Sequence, residues 1–285
     1  MTTTTAVTLD DLTEPFDDAE LPWLDRAACP VLRPGGVADR WRRDGYVILP
    51  GLIGDDLLDA YADAWQADNA DRPGGWPYNT PYMHVPAVRD LCCTEAIADA
   101  LQLVIGEPCG VHLNLTGWRS TTRDWHQDGY LNPDSNRDWY AAVWIALDDI
   151  HPDAGPFEFI PGSHRAVAPI RQDATRRAIA EQCGPDAANS PLWPRHSEAI
   201  LTPLVEQWIA EHPEFPVHRF YAQRGDVLIW HARLLHRGSR PNDPDLERRA
   251  CIAHYSGITH RPDFPAPAER HGGGWFFPID EGGHR

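Results

Sequence analysis

Lysine is absent from the 285 residues, so all 25 basic side chains are arginine. A Schiff-base lysine, a phosphate-loop lysine and a kinase strand lysine are thereby excluded. Any anionic ligand must be held by guanidinium, polar groups or backbone amides. The six cysteines, Cys29, Cys92, Cys93, Cys109, Cys183 and Cys251, form no CxxC pair and no regular spacing, which disfavours a zinc ribbon or a disulfide scaffold. No apolar run approaches the ~18 residues that a membrane helix needs. Positive charge is also scarce: 25 basic against 42 acidic residues give −17, so a nucleic-acid backbone or an anionic membrane surface would be repelled. The expected partner is a small molecule, and nothing fixes an oligomeric state. The opening MTTTTAVTLDDLTEPFDD carries acids where a secretory or mitochondrial leader carries bases, which points to a cytoplasmic protein with reduced cysteines.

What is abundant is tryptophan (12) and proline (27), with prolines recurring in short loops, a composition that suits loop-rich β architecture better than a helix bundle. Residues 1–36 are acidic and proline-punctuated and read as an arm, 37–260 as the main domain, and 261–285 as a C-terminal tail. GVADRWRRDGYVILPGL predicts a short helix, a stop at Gly45 and a strand over Tyr46–Leu49. Leu57, Leu58, Tyr61 and Trp65 share one face of a helix beginning near Gly54, residues 70–90 read as loop, and Glu95–Val104 as a third helix. After Pro108 the period changes to short strands: 110–118, 140–150, 157–160, 217–222, 226–231 and 250–257. Strands between Gly/Pro turns, with helices gathered in front, predict a mainly β antiparallel sandwich or jelly roll with an N-terminal helical layer. Residues 166–216 interrupt the strands with helix-like pieces at Arg171–Cys183 and from Thr202-Pro203 to His212. An insertion of that length is usually a lid or substrate wall.

Two His-x-Asp tripeptides compete among 14 histidines. His151-Pro152-Asp153 sits in DDIHPDAGP, a turn signal. His126-Gln127-Asp128 follows the strand-like GVHLNLTGW and precedes a tryptophan-rich strand, and in an extended backbone positions i and i+2 project to one side, so both side chains can meet one ion. A third ligand must come from a distant strand, and GDVLIWHARLLHRGSRPN offers His231 or His236. Two histidines and a carboxylate on one face of an octahedron leave three positions open, suited to Fe(II) that takes a bidentate co-substrate plus dioxygen.

The ordered set HQD (126–128), Trp144, PGSH (161–164), GDVLIWHARLLHRGS (225–239) and RRACIAHY (248–255), with DRWRRDGYVILPGLI (39–53) in front, resembles the phytanoyl-CoA dioxygenase family of Fe(II)/2-oxoglutarate oxygenases. The resemblance spans roughly 37–258. It implies a double-stranded β-helix of the cupin-like jelly-roll type, an iron site of His126, Asp128 and His236, and 2-oxoglutarate and O2 as co-substrates. It implies further that Arg248 pairs with the distal carboxylate of 2-oxoglutarate beside the Ser239 hydroxyl, that Trp144 and Gln127 line the co-substrate, and that Asn114 contacts it. Arg248 lies one residue further from His236 than in close relatives, so Arg249 competes with it.

The implied reaction is oxidation of a small molecule by hydroxylation, desaturation or ring closure, with succinate and CO2 as co-products. Asp128 in place of Gly or Ala argues against halogenation. A net charge of −17 without lysine makes a CoA-phosphate groove unattractive, so a bacterial natural product or sugar-containing intermediate is the expected substrate. Two alternatives stand beside this: a cupin-like metalloenzyme that needs the triad but neither Arg248 nor Ser239, and a catalytically silent binding protein on the same fold.

Overall fold

The computed structural model describes residues 7–14 and 36–279. The rest of the expected N-terminal arm, residues 1–6 and 15–35 with Cys29, lies outside the described residues. Its described part is one turn, α1 (Leu9–Leu12), in which the Thr8 hydroxyl accepts from the Asp11 N–H and the Asp11 carboxylate from the Thr8 N–H. Leu12 is buried and Thr13 bridges Ile170, so this turn is tied to the start of the 166–216 insertion.

Helix α2 (Val37–Asp44) ends where Gly45, at φ 75°, closes the last turn onto the Trp41 carbonyl and releases β1 (Tyr46–Leu49). α3 (Asp55–Asn69) buries Leu58, Tyr61 and Trp65, the face expected from their spacing. Residues 70–90 are not wholly loop: a 3₁₀ turn spans Pro81–Met83, and α4 (Pro86–Cys92) starts on a proline and buries Val88 and Leu91. Seven residues make two turns, too few for a periodic signal. α5 (Glu95–Ile105) is capped by the Thr94 hydroxyl and stopped by Gly106 at φ 90°.

The strands are β2 (Cys109–Leu115), β3 (Tyr140–Ala146), β4 (Phe157–Phe159), β5 (His218–Phe220), β6 (Val227–His231), β7 (His236–Gly238), β8 (Ala250–Gly257), β9 (Glu269–His271) and β10 (Gly274–Phe276). They form a seven-stranded sheet in the order β1-β6-β3-β8-β2-β10-β9 and a three-stranded sheet in the order β5-β4-β7, the two walls of a jelly roll. Neighbours from β1 to β2 in the large sheet are antiparallel, whereas β10 runs parallel to β2. Alternation sorts each strand of the large sheet. Tyr140, Ala142, Trp144, Leu228, Trp230, Ala250 and Ile252 face the small sheet, where Phe157, Phe159 and Phe220 meet them. Ala141, Val143, Ile145, Val227, Ile229, Cys251 and Ala253 pack under α3, α4 and α5. β3 is buried on both sides, which is why YAAVWIA reads as an unbroken small-and-apolar run.

α6 (Ser163–Ala166) leads into the insertion, which holds α7 (Gln172–Cys183), α8 (Pro185–Asn189) and α9 (Trp193–Glu211). α9 starts nine residues before the expected Thr202-Pro203 cap, at Trp193 with Pro194 in its first turn, and runs through Pro203. An interior proline costs about 3 kcal/mol, and burial of Ile200, Leu201 and Val205 at about 1.5–3 kcal/mol each outweighs it. At the other end, residues set apart as a tail add β9 and β10 to the large sheet, and the Tyr82 hydroxyl donates to the Phe277 carbonyl at 2.9 Å. Three-residue strands around a Gly-Gly-Gly turn carry no readable alternation.

Candidate metal centre

His126 and His236 are joined before their rings meet. Each donates its backbone N–H to the other's carbonyl at 3.1 Å, which pins the loop after β2 to the edge of the small sheet. The chain then turns at Asp128, where the N–H groups of Asp128 and Gly129 both donate to the Ala232 carbonyl at 2.8 Å. These bonds bring the imidazoles to a ring separation of 4.2 Å.

Backbone carbonyls choose the tautomers. A carbonyl only accepts, so the contacts of His126 Nδ1 with Asp124 O (2.7 Å) and of His236 Nδ1 with Leu234 O (2.8 Å) put both protons on Nδ1 and leave both Nε2 lone pairs free. His126 Nε2 lies 3.5 Å from Asp128 Oδ1 and His236 Nε2 3.6 Å from Oδ2. One ligand atom from each of the three residues falls within 4.8 Å of the others, and all three residues are buried. Trp230 Nε1–H donates to Asp128 Oδ2 at 3.0 Å and orients the carboxylate.

Burial, helped by the charge of Arg123, pushes His126 down to about 3, and burial lowers His236 as well. For Asp128 burial acts upward, but the adjacent His236 and His126 act downward and hold it well below the usual carboxylate range. Two neutral imidazoles and one ionised carboxylate are the donor set of a divalent first-row metal. His231, the competing third ligand, is on the other face of β6: its ring packs against Trp41 and His164, and its Nδ1 accepts from the Arg233 N–H at 3.1 Å. His151 caps a 3₁₀ turn at Pro152–Ala154 by accepting from the Asp153 N–H, as its turn-like sequence predicts.

Arg248 and Arg249 separate by the same alternation. Arg248 is two residues before the inward-facing Ala250, is 2% exposed, donates Nη1–H to the Gly155 carbonyl at 2.9 Å, and has a buried Nε–H that meets no acceptor among the described residues. Burial lowers it to about 10, so it stays charged at neutral pH. Ser239 donates to the adjacent Pro156 carbonyl at 2.6 Å, and Trp144 Nε1–H is buried and unmatched on the same inner face. Arg249 turns outward onto Trp118 and bonds Glu247 at 2.6 Å.

The sequence profile of the family described as phytanoyl-CoA dioxygenase (PhyH) matches residues 83–250, over half of the chain and inclusive of the triad and Arg248. The chain belongs to the phytanoyl-CoA dioxygenase family. It is 30% identical over 152 residues to L-proline trans-4-hydroxylase of Streptomyces griseoviridis, which is 52% of this chain and 50% of that enzyme, so it aligns with about half the length of this relative. Among solved structures it resembles EctD from S. alaskensis with 2-oxoglutarate and 5-hydroxyectoine (TM-score 0.55, 17% identity, 90% of this chain and 84% of that one). It also resembles the non-heme alpha ketoglutarate dependent epimerase SnoN from nogalamycin biosynthesis (TM-score 0.53, 20% identity, 82% and 84%). At these identities the likeness bears on the fold, a jelly roll common to this family and to both structures.

Two residues read as co-substrate contacts are placed differently within this phytanoyl-CoA dioxygenase chain. Asn114 pairs with Ala253 in the β2–β8 register and so faces the helical layer, where its Nδ2 lies 3.4 Å from Cys92 Sγ and 3.5 Å from the Ile252 carbonyl. A bulge between Val111 and Leu113 resets the alternation that sequence alone carries along β2. Gln127 turns to the insertion and accepts from the Ile170 N–H at 3.0 Å, because the flanking ligands take the inner side.

Other groups around the triad went unread. His254 follows Arg248, Ala250 and Ile252 on the inner face of β8. Its Nδ1 shares a hydrogen bond with the Tyr140 hydroxyl, its Nε2 is buried without a partner, and burial lowers it to about 4. Counting by twos from Arg248 would have found it. The partners from the insertion carry no such signal: Glu198 receives Arg123 Nε–H at 2.7 Å, Ser197 shares a hydrogen bond with the Tyr130 hydroxyl at 2.7 Å, and Gln172 donates to the Tyr130 carbonyl at 3.1 Å.

Proposed function

We propose that this protein is a non-haem Fe(II)/2-oxoglutarate-dependent oxygenase that hydroxylates, desaturates or cyclises a small molecule. One observation carries the reading: a buried donor set of two neutral imidazoles and a carboxylate shares the barrel interior with a buried arginine, Arg248, whose Nε–H has no acceptor among the described residues. The donor chemistry fits Fe(II), since both Nε2 lone pairs and the Asp128 carboxylate converge without a competing hydrogen-bond donor on either imidazole Nε2. When bound, Fe(II) with 2-oxoglutarate and O2 supplies oxidative decarboxylation to succinate and CO2 together with the oxidising equivalent for a substrate C–H bond.

The chain's own residues then bind, orient and exclude water. His126, Asp128 and His236 hold the metal, with the Asp124 and Leu234 carbonyls and Trp230 keeping the ligands aligned. Arg248 pairs with the distal carboxylate of 2-oxoglutarate, Ser239 holds the Pro156 carbonyl beside it, and Trp144 walls the co-substrate. The 166–216 insertion covers the metal: Ile170, Gln172, Ser197 and Glu198 are each bonded to the 123–130 segment that carries His126 and Asp128. The relative's action on L-proline, together with a net charge of −17 and no lysine, favours a small metabolite over a CoA thioester.

Anaerobic addition of Fe(II) and then 2-oxoglutarate should give a visible metal-to-ligand charge-transfer band, lost in His126→Ala, Asp128→Ala and His236→Ala and kept in His231→Ala. If metal binds the wild type but no band forms, 2-oxoglutarate leaves the mechanism and the cupin-like metalloenzyme reading takes its place.

A further inference from the structure

Arg248 is not alone beside the triad in offering an open, buried guanidinium N–H. Arg123 lies three residues before His126, and its carbonyl accepts from the N–H of Gly238, two residues past His236, at 2.9 Å. Its backbone is therefore fixed to the pair of segments that hold the two histidines. Thr122, at φ 50°, turns the loop backbone just before it. Arg123 Nε–H is given to Glu198 of α9, whereas Nη2 is buried and meets no acceptor among the described residues.

A buried donor left unmade is costly, and one on a cation gains most from an ionised acceptor. Glu198 neutralises one edge of the guanidinium and leaves the other for a ligand. A second carboxylate can share a guanidinium in this way. A dianionic phosphate beside Glu198 would be repelled more strongly, with no lysine to offset it. Co-substrate has its own cation in Arg248, on the inner face of β8, whereas Arg123 is bonded to the insertion that covers the site.

We propose that Arg123 receives a carboxylate of the substrate, so that the oxidised molecules are small carboxylic acids. This rests on the oxygenase reading above.

The test titrates the anaerobic protein loaded with Fe(II) and 2-oxoglutarate, by calorimetry, with L-proline and a panel of small cyclic and acyclic carboxylic acids, each paired with its own carboxamide. Acids should bind and amides should bind at least about ten-fold more weakly. Arg123→Gln should weaken the acids by about 10- to 100-fold and erase the preference, with 2-oxoglutarate affinity changed by no more than roughly two-fold. Glu198→Gln, which removes the neighbour and keeps the guanidinium, should retain the preference. If Arg123→Gln forms no charge-transfer band, Arg123→Lys carries the test, with the acid preference kept at reduced affinity; loss of the preference there overturns the proposal. Amides binding as well as acids, no acid binding at all, or 2-oxoglutarate affinity falling in step with that of the acids each overturns it as well. A wild type without the charge-transfer band overturns the oxygenase reading and this inference with it, whereas a normal band with equal binding of acids and amides overturns the carboxylate receptor alone.

Discussion

Replacing Arg248 by Met should have opposite effects on the resting protein and on its complex. In the resting protein Arg248 is a charge at 2% exposure with one carbonyl partner, Gly155, and no carboxylate within ion-pair reach among the described residues. Burying a charge without a counter-ion costs several kcal/mol, and the Gly155 hydrogen bond returns about 1.5–3 kcal/mol. Methionine fills similar volume without the charge, so the apo protein should gain ~1 kcal/mol, a rise in Tm of about 2–4 °C for a chain of this size. The complex loses the charge-assisted bonds to the distal carboxylate, about 1.5–3 kcal/mol, so 2-oxoglutarate affinity should fall by one to two orders of magnitude. Arg248→Lys should fall between: it lacks the fork, and the same burial acts on a group whose ordinary value starts about two units lower. Anaerobic titration followed through the charge-transfer band gives the affinities, with Fe(II) affinity as the control. Arg249→Ala should change neither quantity, because that side chain lies outside the barrel on Trp118. A destabilised Arg248→Met protein with undiminished 2-oxoglutarate affinity would refute both halves of the reasoning.

Trp230→Phe keeps the ring but removes the donor to Asp128 Oδ2, so metal affinity measured by chelator competition should drop about 10- to 100-fold with the fold intact. His164 is buried beside His231 and Gly45, and burial, with Arg233, pushes it down to about 3. The folded state therefore binds fewer protons than the unfolded one. The contribution is full above the unfolded value near 6.5 and is lost as pH falls toward the folded value, by ~1.4 kcal/mol per unit for this group. Urea unfolding of wild type and His164→Gln at pH 7.5 and 5.5 should show a steeper loss in the wild type. Gly45→Ala should destabilise by more than ~2 kcal/mol in the same assay, since φ is 75° and the new Cβ would lie 2.5 Å from His164 Nδ1.

The parts of this fold that could be read were those whose signal is local and periodic. Leu58, Tyr61 and Trp65 recur at helical spacing and do share the buried face of α3, and Gly45 does end α2. Arg248 and Arg249 could not be told apart by spacing, yet they differ completely once β8 is in register with β3, because Trp144 opposite Ile252 fixes which parity looks inward. The same register returns His254 as an inner residue. Asn114 lies toward the helical layer for a complementary reason: one bulge between Val111 and Leu113 inverts the facing of everything beyond it, and nothing in GVHLNLTGW announces a bulge.

A different limit governs the insertion. The residues that touch the 123–130 segment, Ile170, Gln172, Ser197 and Glu198, are an aliphatic side chain whose backbone N–H does the bonding, an amide, a hydroxyl and a carboxylate, and none has a sequence spacing to its partner that chemistry requires. The metal ligands are constrained by the ion to particular residue types at i and i+2, so they leave a pattern. The walls of a small-molecule site are constrained only by the ligand, which differs from one member of a family to the next. Arg123 belongs to the second class, and only the placement of its unmatched Nη2 beside α9 gives it meaning. Reaction type is thus written in the chain at short range, in HQD and the strand carrying His236, while substrate choice is written in contacts between segments about 75 residues apart, as in the Arg123–Glu198 pair.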